Sequence, residues 1–239
     1  MRILFVLALT FVVLSASLHA QPMRVLFVGN SYTHYNNMPK ILEHMAEDKG
    51  ISIEVTMDAK SSHTFEMHAK RKEVYNTIRS NKWDYVILQG FSRELAQEQA
   101  IIDTLSIPYV KMLLDSIYAN NSCTNVLLYQ TWGYDGGYQA DSLDIDWSYQ
   151  TMSDRIHQGY LYLSQQLNLS IVPVGKVWET VKENHPQIQL YQMDKQHPSL
   201  AGSYLVASCF YAALFKTEPN VGFSAKLDQK QAAILGEIA

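Results

Sequence analysis

The chain has 239 residues, of which 47% are hydrophobic and 18% charged, and its formal net charge is −4 at pH 7. This balance is typical of a globular protein with a substantial core and excludes a disordered chain. The weakly acidic charge argues against nucleic acid as a partner, because neutralising phosphates requires a clustered basic surface.

The first twenty residues have the layout of a secretory signal peptide. A short positive start precedes an apolar run over residues 3–14, and mostly small residues follow to Ala20. The apolar run is too short for a comfortable membrane span. We therefore predict export to the periplasm or the medium and no stable membrane anchor. Cleavage is expected near Ala20, with cleavage after Ser17 left open, and residues 21–239 form one mature domain.

Short apolar runs alternate with amphipathic segments along the mature chain. Buried strands are predicted at residues 24–28, 51–57, 84–88, 125–129 and 170–174. Helices are predicted at residues 39–49, 64–80, 106–117, 149–167, 176–184 and 200–215, and a loop at 133–147. Parallel strands need crossover helices, which cover both faces of the sheet. The fold class is therefore predicted as α/β, a three-layer α/β/α sandwich around a five-stranded parallel sheet.

Polar residues follow several of these strands, where a parallel sheet forms its functional site. They are the segment Gly29-Asn30-Ser31, residues 59–64, the pair Gln89-Gly90 and the pair Thr131-Trp132. Gly-Asn-Ser after a strand is ordinarily a turn or a helix cap. A hydrolytic serine at this edge would also need a base, a group that orients the base, and donors for an oxyanion.

A candidate base stands near the other end of the chain. Asp194 and His197 are three residues apart, just before the last predicted helix. In a turn, this spacing can place the carboxylate beside Nδ1 of the imidazole while Nε2 points outward. The sequence therefore predicts a catalytic triad of Ser31, His197 and Asp194.

These two blocks, Val28-Gly29-Asn30-Ser31 and Asp194-Lys195-Gln196-His197 followed by Pro-Ser-Leu-Ala-Gly, resemble the SGNH hydrolases, also called GDSL-type esterases. The resemblance spans essentially the whole mature chain and includes a secreted bacterial subgroup. It implies a flavodoxin-like fold and a serine esterase that removes acetyl or other short acyl groups from small molecules or carbohydrates.

The same resemblance implies an oxyanion hole and a substrate site. The donors would be the N–H of Ser31, the N–H of Ser62 in place of the family's glycine, and the side-chain amide of Gln89 in place of its asparagine. Substrate contacts are expected from four residues of the strand-end loops: Asn30, Tyr32, His63 and Trp132, with Trp132 as a pocket wall.

Several alternatives stay open at the level of sequence. One is a glycan-binding or accessory protein of the same fold whose catalysis has weakened. A disulfide between Cys123 and Cys209 is another, and the oligomeric state is open. No metal or cofactor is expected, since the histidines lack ligand spacing and the turn after the first strand lacks the glycine pattern of nucleotide-binding folds.

Overall fold

The computed structural model describes residues 21–219 and 222–239, so the predicted signal peptide lies outside the described residues. The strands are β1 (Met23–Gly29), β2 (Ile53–Ala59), β3 (Tyr85–Leu88), β4 (Asn125–Tyr129), β5 (Tyr138–Ala140), β6 (Ile145–Trp147) and β7 (Ser170–Val172). The helices are α1 (Ser31–His34), α2 (Met38–Asp48), α3 (Phe65–Ala69), α4 (Lys72–Ser80), α5 (Gln99–Leu105), α6 (Ile107–Asn120), α7 (Tyr149–Leu167), α8 (Val174–Asn184), α9 (Leu200–Phe215) and α10 (Gln229–Ile238).

The main sheet has the order β2-β1-β3-β4-β7, and every neighbouring pair is parallel. The predicted five-stranded parallel sheet is confirmed. β1 lies between β2 and β3, and its residues from Val25 to Val28 are all buried. This explains why β1 is a continuous apolar run without alternation. All five carboxyl ends lie along one edge of the sheet.

The helices form two groups that complete the predicted three layers. α2 packs against α9, which also contacts α8 and α10, while α6 contacts α3, α4, α5 and α7. α9 is buried along most of its length, which accounts for its apolar residues on nearly all sides. Its Phe210 packs edge-on against Phe27 of β1 and Tyr129 of β4, with ring centroids 5.0 Å apart in both pairs.

The helix predicted over residues 64–80 is two helices, α3 and α4. The break lies at Arg71, whose backbone is extended with φ −93° and ψ 129°. Its guanidinium donates to Asp58 Oδ1 at 2.9 Å and lies 3.3 Å from His68 Nδ1. These tertiary contacts hold a residue of high helix propensity outside a helix.

The loop predicted over residues 133–147 contains a short antiparallel hairpin, β5 and β6. Tyr138 lies opposite Trp147, and their ring centroids are 5.9 Å apart. α5 and α10 are further elements that the sequence patterns did not predict, and β7 ends two residues earlier than expected because α8 begins at Val174.

Both cysteines are free thiols. Cys123 is exposed and Cys209 is buried in α9, so the disulfide left open by the sequence is not formed here. Burial raises the pKa of the Cys209 thiol to about 12, which keeps it protonated and unreactive. Among the described residues, no helix combines the length and apolar character that crossing a membrane requires.

Candidate active site

Ser31 lies in a tight turn between β1 and α1. β1 ends at Gly29, where an added Cβ would lie 2.3 Å from Thr33 Oγ1, so a larger residue would displace the Thr33 side chain. Asn30 caps α1, its Oδ1 accepting from Tyr32 N–H at 3.1 Å. As the first residue of the helix, Ser31 has an N–H without an intrahelical acceptor. A hydroxyl group and a free N–H donor therefore coincide at one residue.

The three residues of the predicted triad are hydrogen-bonded in series. His197 Nε2 lies 2.9 Å from Ser31 Oγ, and His197 Nδ1 lies 2.5 Å from Asp194 Oδ2. A proton on Nδ1 bonds to the carboxylate and leaves Nε2 free to accept the hydroxyl proton of Ser31. The arrangement can deprotonate Ser31 as it attacks an electrophilic carbon.

Asp194 is fixed by its own turn as well as by the imidazole. Its Oδ1 accepts from the N–H groups of Gln196 and His197, both at 3.0 Å. Lys195 completes the turn with a left-handed φ of 61°, and its N–H donates to Gln192 O at 3.0 Å. Partial burial opposes ionisation of Asp194, but the hydrogen bonds from Gln196 and His197 outweigh it and lower its pKa. Asp194 is therefore ionised near neutral pH and hydrogen-bonded to the imidazole.

Two aromatic rings hold the imidazole of His197. Tyr35 stacks on it at a centroid distance of 4.4 Å and an interplanar angle of 14°, and Tyr32 meets it edge-on at 5.8 Å. The sequence did not predict Tyr35, since its position four residues after Ser31 carries no motif. The stack restricts His197 to the plane in which it reaches Ser31.

Trp132 is buried next to the residues of the predicted triad. Its side chain is 1% exposed and lies stacked between Tyr32, at 4.4 Å, and Trp178, at 3.9 Å. Its Nε1–H donates to the carbonyl oxygen of Gln196 at 3.2 Å, next to His197. Tertiary packing covers both faces of the indole, and the substrate contact predicted for Trp132 stays a prediction.

Replacing Trp132 with Phe is expected to lower kcat/KM for an ester by about tenfold and to cost about 1 to 3 kcal/mol of unfolding free energy. The change removes the donor to Gln196 O and leaves an aromatic ring in the stack. Trp178→Phe is the matched control, since Trp178 Nε1 has no hydrogen-bond partner among the described residues. It should destabilise similarly in thermal melts while activity stays near the parent value. Equal losses of activity in both variants would contradict the role of Trp132.

Asn30 and Tyr32 are also buried, at 1% and 3% exposure, and the substrate contacts expected of them stay predictions. The Asn30 side-chain amide donates to His63 O at 3.2 Å and to Gly90 O at 3.1 Å. Asn30 thereby joins the turn of the nucleophile to the loops after β2 and β3. Tyr32 fills the space between Trp132 and His197.

The side chain of Gln89 is hydrogen-bonded to the same turn. Its Oε1 accepts from Asn30 N–H and from Thr33 Oγ1, both at 2.9 Å, and its Nε2 donates to Gly90 O. The side chain is 1% exposed. Its buried amide therefore holds the turn in place, and the oxyanion donor expected at Gln89 stays a prediction.

Ser62 lies in an exposed turn between β2 and α3. Its φ is 61°, a left-handed conformation that costs a residue with a side chain roughly 1–2 kcal/mol and that glycine adopts freely. The turn is closed by His63 N–H donating to Lys60 O at 3.2 Å and is tied to Asn30 through His63 O. The loop is therefore in place beside Ser31, and the donor role of Ser62 N–H stays a prediction.

A second serine–histidine pair lies close by. His34 Nε2 is 2.9 Å from Ser61 Oγ, and among the described residues no carboxylate pairs with the His34 ring. Burial and the neighbouring His197 lower the pKa of His34. His63, predicted to contact substrate, is partly exposed on the same loop, with Nδ1 3.1 Å from Ser61 O.

His68 is buried and contacts the turn that precedes Ser31. Its Nε2 lies 2.9 Å from Gly29 O, and burial lowers its pKa to about 4, so the ring is neutral at pH 7 and donates from Nε2. Within residues 21–219 and 222–239, no group of three or more His, Cys, Asp or Glu side chains is placed to hold a metal ion.

Glu94 joins the two loops that flank Asn30. Its carboxylate accepts from Phe91 N–H at 2.8 Å and from Phe65 N–H at 3.1 Å, and Ser106 Oγ donates to it at 3.4 Å. Burial raises its pKa from 4.5 to about 7, although these hydrogen bonds act in the opposite direction. No motif marked Glu94 in the sequence.

Glu94→Gln is expected to change how stability depends on pH. In the parent, the unfolded state loses the Glu94 proton near pH 4.5 while the folded state keeps it to about pH 7, so stability falls as pH rises across this window. The difference in unfolding free energy between the parent and the Glu94→Gln variant should therefore fall by about 3 kcal/mol between these pH values. Urea titrations at a series of pH values measure this difference.

Glu66→Gln is the matched control for this measurement. Hydrogen bonds from Lys70 and Tyr109 lower the pKa of Glu66, so the corresponding difference should rise with pH. Parallel stability curves for the parent and the Glu94 variant would contradict the assignment.

Comparisons with known proteins give structural likeness only. No family model matches the chain, and no curated protein matches it. It is similar to a DUF4886 family protein from Bacteroides uniformis, with TM-score 0.78 and 17% identity over 91% of this chain and 93% of that one.

Two further solved structures have the same architecture. A protein of Slackia heliotrinireducens assigned to the SGNH hydrolases gives TM-score 0.67 and 24% identity, covering 81% of this chain and 100% of that chain. A family 3 carbohydrate esterase from Clostridium thermocellum gives TM-score 0.57 and 14% identity, covering 80% of this chain and 94% of that chain. Together with the sheet order, these likenesses confirm the predicted fold, which is that of the SGNH hydrolases.

Proposed function

We propose that this chain is an exported serine esterase that hydrolyses carboxylic esters of acetyl or other short acyl groups carried by a carbohydrate. The observation that carries the proposal is the series of hydrogen bonds from Asp194 through His197 to Ser31, at 2.5 and 2.9 Å. Export is supported by the signal-peptide pattern of the first twenty residues. The carbohydrate is supported by export and by the fold shared with a carbohydrate esterase.

In the proposed reaction, Ser31 Oγ attacks the ester carbonyl carbon while its proton passes to His197 Nε2. Asp194 accepts the Nδ1–H bond and stabilises the imidazolium that forms. The oxyanion accepts hydrogen bonds from the N–H groups of Ser31 and Ser62. Each such donor is worth on the order of a hundredfold in kcat.

The two remaining steps use the same groups. His197 returns its proton to the departing alcohol oxygen, which breaks the ester bond and leaves an acyl group on Ser31. A water molecule then attacks the acyl carbon as His197 takes its proton. The carboxylic acid leaves, and the proton returns to Ser31 Oγ.

The test uses the purified mature chain with chromogenic esters of increasing acyl length and with acetylated oligosaccharides. We expect release of the chromophore, fastest for short acyl groups, and release of acetate. Calorimetric titration with acetylated and deacetylated oligosaccharides tests the alternative of a binding or accessory protein. Tight binding without acetate release would overturn the esterase proposal in favour of that alternative.

A further inference from the structure

Arg93 lies in the loop that follows β3, at the same edge of the sheet as Ser31. This loop is joined to the nucleophile's turn, because Asn30 Nδ2 donates to Gly90 O at 3.1 Å. It is joined to the loop after β4 as well, since Ser92 Oγ lies 2.7 Å from Tyr134 OH. Arg93 therefore lies on a loop that is tied by hydrogen bonds to the turn of Ser31 and to the loop after β4.

The guanidinium of Arg93 is held by aromatic rings. Its Cζ lies 5.0 Å from the ring centroid of Phe91 and 4.3 Å from that of Tyr138, and Nη1 donates to Tyr134 OH at 3.1 Å. Aromatic faces attract a cation and fix its plane without neutralising its charge. The side chain is thus positioned but still positive.

No carboxylate of the described residues lies within 4.0 Å of the Arg93 nitrogens. The neighbouring Glu94 directs its carboxylate to Phe65 and Phe91 N–H instead. Of the five N–H donors of a guanidinium, Tyr134 engages one among the described residues. A half-buried cation with unused donors is suited to an anion from outside the chain.

Arg155 is an internal comparison for Arg93, because it also contacts the β5–β6 hairpin. Its Cζ lies 4.7 Å from the Trp147 ring of β6, as Arg93 lies over Tyr138 of β5. Arg155 is neutralised within the chain, because Nη2 lies 2.6 Å from Glu98 Oε1 and Nε donates to Ala96 O at 2.8 Å. Contact with the hairpin is therefore common to both arginines, whereas the free charge belongs to Arg93.

We infer that Arg93 binds a carboxylate of the ester substrate, remote from the bond that is cut, so that the preferred substrates are esters of acidic sugars. A planar carboxylate matches the guanidinium fork in two parallel hydrogen bonds. This inference rests on the proposed esterase function and names the substrate class of the same site.

The experiment compares matched acidic and neutral esters. The first pair places the charge on the sugar and compares the acetylated methyl glycoside of galacturonic acid, with its carboxylate free, with acetylated methyl galactoside. The second pair places the charge on the acyl group and compares mono-4-nitrophenyl glutarate with 4-nitrophenyl butyrate. We expect the parent to prefer the acidic sugar, and Arg93→Gln to lower kcat/KM for it by about 10- to 100-fold. Rates on the neutral esters should change by less than about threefold. Arg93→Lys should retain part of the preference.

Arg155→Gln is the control for a purely structural role. It should lower thermal stability and leave the ratio of acidic to neutral rates unchanged. Loss of the same factor on both members of each pair in the Arg93 variant would overturn the inference. A preference confined to the acyl-side pair would also overturn the assignment to acidic sugars.

Binding provides a readout that does not need turnover. Galacturonate oligomers should titrate into the Ser31→Ala variant more tightly than galactose oligomers, and Arg93→Gln should remove the difference. An active neutral esterase without this difference would contradict the inference alone. A chain that binds the acidic oligomers but cleaves no ester would contradict the proposed function and keep the anion site.

Discussion

Ser31→Ala is expected to lower kcat for a short acyl ester by on the order of 10⁴- to 10⁶-fold, because it removes the atom that forms the acyl intermediate. The residual rate would come from the remaining oxyanion donors and from substrate binding. KM should change little, since Ser31 Oγ contributes to the transition state more than to the ground state. Steady-state kinetics with a chromogenic ester measure both quantities.

The variant should fold like the parent. Ser31 is 7% exposed, and the described partner of its Oγ is His197 Nε2, while the turn is held by Asn30, Thr33 and Gln89. Thermal melts check this point.

Ser61→Ala is the matched control, because Ser61 is also hydrogen-bonded to a histidine, at 2.9 Å, but that histidine lacks a carboxylate partner among the described residues. Its rate should stay within about tenfold of the parent. Comparable rates for the parent and Ser31→Ala would contradict the triad assignment.

The fold was predictable from the sequence because each central strand is a short apolar run buried on both faces. Val25 to Val28 and Val86 to Leu88 show no polar alternation, and only a sheet covered by helices produces that pattern. What the patterns missed depends on distant contacts. The extended Arg71 follows from Asp58 and His68, and the β5–β6 hairpin follows from cross-strand rings and from Arg93 and Arg155.

The candidate site was predictable where its chemistry is local. Asp194 and His197 share one turn, so their spacing already implied the contact that the structure shows at 2.5 Å. The burial of the aromatic and amide residues could not be predicted, because burial is a tertiary property. Trp132 follows a strand end as a pocket wall would, yet Tyr32 and Trp178 cover it on both faces. Gln89 has the amide of a donor, and only the structure shows that its Oε1 accepts hydrogen bonds from Asn30 and Thr33.

His197→Ala is expected to reduce kcat by on the order of 10⁴- to 10⁶-fold as well, since without it nothing accepts the Ser31 proton. The Asp194 turn should survive, because the N–H groups of residues 196 and 197 bond to its carboxylate independently of the imidazole. The variant therefore removes the base without unfolding its loop. His34→Ala, which removes a second histidine near the site, should cost less than about tenfold.

The double variant Ser31→Ala/His197→Ala tests whether the two residues act as one unit. If proton transfer and attack are parts of a single step, the first substitution already abolishes that step, and the second substitution causes no further loss. The double variant should then keep the residual rate of either single variant, well above the product of the two separate losses. Multiplicative losses would mean that His197 contributes to turnover by a route independent of Ser31, which contradicts the hydrogen-bonded series as the working unit.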